Sequence, residues 1–123
     1  MFEIMVEESF SAAHKLRKTG GKPEKIHGHH WKIQLFVLCK DLDSEGVSVE
    51  FSHLKREIRS MIDPLDRSYI NEVFPFTEIN PTSENLSRWL YDTLTKRIDS
   101  DDMEVSRIVV SEEEGLSATY FED

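Results

Sequence analysis

A chain of 123 residues with 38% hydrophobic and 32% charged residues has the composition of one soluble globular domain, residues 1–123, and not of a disordered or membrane-embedded protein. A formal net charge of −9 argues against nucleic acid as the main partner, and no apolar run approaches the length of a membrane span. The single cysteine, Cys39, rules out an intrachain disulfide and fits a reducing cytoplasm, and the acidic start of the chain does not read as a signal peptide.

Residues 2–12 alternate, with Phe2, Ile4, Val6 and Phe10 on one face and Glu3, Glu7 and Ser9 on the other, which predicts a half-buried strand. The same parity carried on through Ala12 brings His14 out at the end of the apolar face. Residues 17–26, with Gly20, Gly21 and Pro23 among charges, read as a loop. A second strand is predicted from about His29 to Lys40, with Trp31, Ile33, Leu35, Val37 and Cys39 on one face. A polar turn over 41–46 follows.

Phe51, Leu54, Ile58, Met61 and Ile62 recur at helical spacing and predict a helix over about 52–63, stopped by Pro64. Residues 64–81 are broken by prolines. Thr82 or Ser83 can cap a second helix whose first turn holds Glu84 and whose buried stripe is Leu86, Trp89, Leu90, Leu94 and Ile98. Strands over 105–111 and 116–121, joined at Gly115, read as a closing hairpin. The order ββααββ predicts an α+β domain: a four-stranded antiparallel sheet with two helices on one face.

Three of the five histidines form a pattern that chemistry can use. His27 and His29, separated by Gly28, point to the same face of an extended strand. With His14 they make a candidate zinc site whose fourth position is open, the form that catalytic sites take. His30 has the opposite parity, and His53 lies among charges on a helix; both read as ordinary polar residues. Glu24 precedes His27 by three residues, and a carboxylate beside a bound cation stays ionised and able to act as a base. Glu112 follows the apolar run Ile108-Val109-Val110, so inward parity would offer a carboxylate to a ligand with two adjacent N–H donors. Five basic residues between positions 15 and 25 (Lys15, Arg17, Lys18, Lys22 and Lys25) suit a small anion such as a phosphate ester.

These residues together resemble the 6-pyruvoyl-tetrahydropterin synthase and 6-carboxy-tetrahydropterin synthase family. The resemblance is carried by Phe10-Ser11-Ala12-Ala13-His14, by His27-Gly28-His29 and by Glu50-Phe51-Ser52-His53-Leu54-Lys55. It continues through Leu65-Asp66-Arg67-Ser68-Tyr69-Ile70-Asn71, Asn80-Pro81-Thr82-Ser83-Glu84 and the closing Val110-Ser111-Glu112. It implies the tunnelling fold, with sheets joining into an intersubunit barrel, a homohexamer of two stacked trimers, and active sites at subunit interfaces. It also implies zinc on His14, His27 and His29, the pterin anchored by Glu112, and Thr82, Ser83 and Glu84 near the pterin pocket. The implied substrate is 7,8-dihydroneopterin triphosphate.

Two positions depart from the family pattern. Members of this family usually carry a catalytic cysteine shortly before the His-Gly-His triplet; this chain has Glu24 in a Glu-x-x-His-Gly-His motif, similar to a subgroup that forms 6-hydroxymethyl-7,8-dihydropterin. The usual Asp-His pair is here Asp66-Arg67, and an arginine stays protonated and makes a poor base. Both departures suit cleavage of the substrate's C1′–C2′ bond, with Glu24 as base and then acid, Asp66 as its catalytic companion and Arg67 on a phosphate or an acidic neighbour. Alternatives are 6-carboxytetrahydropterin synthesis, feeding queuosine-type deazapurines, 6-pyruvoyl-tetrahydropterin synthesis, and a non-catalytic zinc- or pterin-binding protein on the same fold.

Overall fold

The computed structural model describes residues 1–17 and 24–123. Its elements are β1 (Phe2–His14), β2 (His27–Cys39), α1 (Phe51–Ile62), a short 3-10 turn (Ile70–Glu72), α2 (Ser83–Ile98), β3 (Met103–Glu113) and β4 (Leu116–Tyr120). The strands form one antiparallel sheet in the order β1-β2-β3-β4. This is the expected α+β arrangement, and α1 and α2 pack on the sheet.

The first two strands outrun their predicted ends. Their pairing runs without a bulge from Phe2↔Cys39 to His14↔His27, so β1 continues through His14 and β2 begins at His27. Unbroken register keeps one parity inward along both strands. Val6, Phe10 and Ala12 of β1 are buried with Trp31, Ile33, Leu35, Val37 and Cys39 of β2. In β3 the parity changes once. A bulge opposite Phe36 and Val37 lets both Val105 and Ile108 turn inward, after which Val110 keeps the new parity.

Both helices differ in detail from the predicted stripes. Leu54, Ile58, Met61 and Ile62 of α1 are buried, but Phe51 is 60% exposed. Phe51 lines a surface hollow with Phe2, Ile4, Leu42 and Val47 instead of entering the core, and Phe2 is likewise exposed. On α2, Leu86, Ser87, Leu90, Tyr91, Leu94 and Ile98 are buried, while Trp89 is half-buried and sets its ring edge-on to Phe76 at 5.2 Å. Thr82 is the N-cap; its side-chain oxygen accepts the Asn85 N–H at 3.0 Å.

Two contacts secure the end of β1 that carries His14. The segment 66–69 lies along its free edge: Ser11 N–H donates to Asp66 Oδ1 (3.0 Å), Arg67 N–H to the Ser11 carbonyl (2.6 Å) and Ala13 N–H to the Ser68 carbonyl (3.0 Å). An edge covered in this way is closed to stray strands. Asn71, buried in the 3-10 turn, accepts from Lys15 N–H at 2.9 Å and donates to the Lys15 carbonyl at 2.7 Å. Asn71→Ala strands both backbone groups and is expected to cost about 1–3 kcal/mol of stability, read by urea denaturation.

Candidate metal centre

The strand register builds the centre directly. Residues paired across an antiparallel ladder share a face, so His14 and His27 meet as direct partners and His29, opposite Ala12, lies on the same face. Glu112 comes from the end of β3, where the β3–β4 register shifts between Ser111 and Glu113. His14, His27, His29 and Glu112 each offer one ligand atom, and these atoms all lie within 4.8 Å of one another. Glu112 Oε1 stands 2.8 Å from His14 Nε2, 3.0 Å from His29 Nε2 and 3.7 Å from His27 Nε2. Trp31, fully buried, is the floor: its ring meets those of His14 and His29 edge-on at 4.8 and 5.6 Å. The Trp31 indole N–H donates to the Ala12 carbonyl at 3.1 Å, which holds the floor in place.

Backbone carbonyls orient two of the imidazoles. His14 Nδ1 lies 2.8 Å from the Pro81 carbonyl, and His27 Nδ1 lies 3.0 Å from the Lys25 carbonyl. A carbonyl only accepts, so each Nδ1 carries a proton and each Nε2 is turned to the centre, where that of His14 is hydrogen-bonded to Glu112 Oε1. Burial lowers the pKa of His29; the Glu112 carboxylate raises it, His27 and His14 lower it further, and the net shift is downward. His29 therefore stays neutral, the form that binds a metal. Its Nε2 is buried without a hydrogen bond, although Glu112 Oε1 is only 3.0 Å away, because the two are not aligned for one. An orphaned buried nitrogen facing two other imidazole nitrogens and a carboxylate oxygen fits a bound cation, and this nitrogen and oxygen set suits zinc.

Glu24 belongs to the same neighbourhood. Its Oε1 lies 3.4 Å from His27 Nδ1, and its side chain is only 22% exposed. The other expected site residues are placed differently. Asp66 sits at the β1 edge, with Oδ1 on Ser11 N–H and Oδ2 3.6 Å from Arg59. Ser11 precedes His14 by three residues, roughly 10 Å along a strand, so Asp66 is held at the β1 edge and away from His14, and Arg67 is exposed. Thr82, Ser83 and Glu84 follow Pro81 at the start of α2, so the segment touches the centre through its proline carbonyl. His30 faces the opposite side of the sheet, with Nδ1 3.0 Å from Ser11 Oγ, and Cys39 is buried at the far end of β2.

The basic segment is only partly described. Lys18 and Lys22 lie outside the described residues. Arg17, of the same segment, is engaged within the chain: its guanidinium donates to the carbonyls of Asn71, Phe76 and Ile79 and so clamps the 71–79 loop. Sequence reasoning missed the Pro81 carbonyl, which carries no side-chain signal. It also separated Glu112 from the metal ligands, although inward parity two residues after Val110 pointed there.

A four-stranded sheet with two helices and a cluster of three histidines and a glutamate at its end defines a class, the tunnelling-fold pterin enzymes. Residues 3–123 match the family model described as 6-pyruvoyl tetrahydropterin synthase. The 6-carboxy-5,6,7,8-tetrahydropterin synthase of Synechocystis is 31% identical over 99 residues, covering 76% of this chain and 75% of that protein. The dihydroneopterin monophosphate aldolase of Pyrococcus furiosus is 26% identical over 98 residues, covering 80% and 79%. A solved structure of the Plasmodium vivax 6-pyruvoyltetrahydropterin synthase, a catalytic residue mutant in which a glutamate is replaced by alanine, matches the fold with a TM-score of 0.73. It is 19% identical to this chain, and the match covers 99% of this chain and 98% of that one. The chain belongs to the 6-pyruvoyl tetrahydropterin synthase family of pterin-processing enzymes.

Proposed function

We propose that the protein is a zinc-dependent lyase that cleaves the C1′–C2′ bond of 7,8-dihydroneopterin triphosphate to give 6-hydroxymethyl-7,8-dihydropterin, in folate-type pterin synthesis. The observation that carries this reading is Glu24, a carboxylate 3.4 Å from a histidine of the metal cluster, where the family's usual cysteine is absent. The aldolase name of the Pyrococcus furiosus relative supports the same bond cleavage. Zinc on His14, His27 and His29 supplies Lewis acidity toward the side-chain hydroxyls.

Glu24 takes the proton of the C2′ hydroxyl. As the C1′–C2′ bond breaks, C2′ becomes the aldehyde carbon of the released phosphorylated glycolaldehyde, and the bonding pair passes into the ring imine. Glu24 then returns its proton to C1′, so one carboxylate serves as base and as acid with no net proton change. Glu112 accepts the paired N–H donors of the pterin ring, and Thr82, Ser83 and Glu84 border it. Arg67, always charged, receives a phosphate. Asp66 and Arg67 serve a neighbouring subunit's site in a homohexamer, which a native mass measurement tests.

The reading is tested by incubating the zinc-loaded protein with dihydroneopterin triphosphate, and separately with the monophosphate, and identifying the pterin by mass. The hydroxymethyl product is expected from the triphosphate. Turnover of the monophosphate alone reassigns the substrate; a carboxy product alone, or none, sinks the lyase reading. A second reading, 6-carboxytetrahydropterin synthesis, is favoured by the name of the Synechocystis relative. It demands further proton shifts along the side chain, and this chain lacks the cysteine and histidine that its family usually brings to them.

A further inference from the structure

We propose that Glu112 is the fourth ligand of the metal in the pterin-free enzyme, and that it closes the site until substrate draws it away. The metal itself rests on the reading above. In a tetrahedral zinc site with bonds near 2.0–2.1 Å, ligand atoms stand about 3.3–3.4 Å apart. Glu112 Oε1 stands 2.8, 3.0 and 3.7 Å from the three Nε2 atoms, distances that bracket that edge length. An oxygen lying in the metal's own place would be about 2 Å from each. Oε1 thus stands where a fourth ligand would, and not in the metal's own place.

The hydrogen bonding agrees with this arrangement. The Pro81 and Lys25 carbonyls take up the Nδ1 atoms of His14 and His27, which leaves both Nε2 atoms facing the carboxylate. The buried His29 Nε2 makes no hydrogen bond with it. His14 Nε2 stands at hydrogen-bond distance from Oε1, 2.8 Å, but one proton there satisfies only one of the three nitrogens, whereas a cation would be shared by all three and the carboxylate. The β3–β4 register shift beside Glu112 aims its side chain toward the histidines. Glu112 remains 25% exposed at the mouth of the site, so its carboxylate has a way out.

The consequence is a ligand exchange. The two adjacent N–H donors of a pterin compete with the metal for one carboxylate. When Glu112 turns to the pterin, the fourth position opens for the substrate's hydroxyls. A site closed at rest holds its metal more firmly than three imidazoles alone, and it turns into the open, catalytic form only with substrate present.

The test uses the full chain stripped of metal and titrated with zinc and, separately, with cobalt(II), whose visible spectrum reports its ligands. Glu112→Gln is expected to weaken affinity for both metals at least about ten-fold, since even partners one shell further out are worth 10–100-fold. It should also shift the cobalt bands. Adding neopterin, an unreactive pterin, to the wild-type cobalt protein should move its spectrum toward that of the variant. Unchanged affinity and an unchanged spectrum in Glu112→Gln overturn the inference and leave the metal reading intact. A wild-type protein that binds neither metal overturns both. If the glutamine variant fails to fold, the neopterin titration of the wild type decides alone: a spectrum that pterin does not alter overturns the exchange.

Discussion

Glu24→Gln is expected to reduce turnover of dihydroneopterin triphosphate by about 10²–10⁴-fold, the usual contribution of a positioned acid or base, and to leave the zinc content unchanged. Glutamine keeps the size and the hydrogen-bonding reach of the side chain but cannot take a proton at neutral pH. Glu24 lies 3.4 Å from His27 Nδ1, the nitrogen that faces away from the metal centre, so the substitution leaves all three Nε2 donors in place. Loss of rate with retention of metal thus separates a proton carrier from a metal ligand. Kinetics by product chromatography and metal content by elemental analysis give the two numbers. A rate unchanged at background level would leave the non-catalytic pterin- or zinc-binding reading in its place, and an unchanged rate above background would remove Glu24 from the chemistry.

The sequence carried the candidate metal centre further than a bare His-Gly-His motif would. Alternation in β1 is regular enough to be followed past Ala12, and the unbroken register proves that parity right: His14 arrives on the face of His27 and His29. The same rule placed His30 on the other side, where it meets Ser11. What alternation cannot show is any contact made by the backbone of a distant segment. The Pro81 carbonyl on His14 and the Asp66–Ser68 cover on the β1 edge are both of this kind. Asp66 is a catalytic candidate by its place in the family's motif alone, and its partners within the chain are Ser11 and Arg59. Arg17 shows a related limit. Charge counting marks an arginine as available for an anion, but five guanidinium N–H donors can equally bind loop carbonyls. Phe51 shows the limit of helical periodicity, which gives a face without saying where the sheet beneath it stops.

His14→Ala is expected to abolish tight metal binding and, with it, turnover. Of the three histidines His14 is the most deeply placed, 1% exposed on the wall above Trp31, and its Nε2 is the one nearest Glu112. Removing it takes away one donor, leaves the Pro81 carbonyl without its partner and opens a void beside the indole. Zinc affinity should fall by at least about 100-fold, the upper end of what loss of a supporting partner alone costs. The metal-free protein should lose a further 1–3 kcal/mol or so of stability from the stranded carbonyl, so the variant's fold must be checked before its metal content is interpreted. His53→Ala, on α1 and outside the cluster, is the matched control and should bind zinc as the wild type does. A folded His14→Ala protein with wild-type zinc affinity would mean that the cluster is a hydrogen-bonded group of side chains and not a metal centre. That result would also undercut the role of Glu24, because a carboxylate beside three empty imidazoles has no polarised hydroxyl to deprotonate.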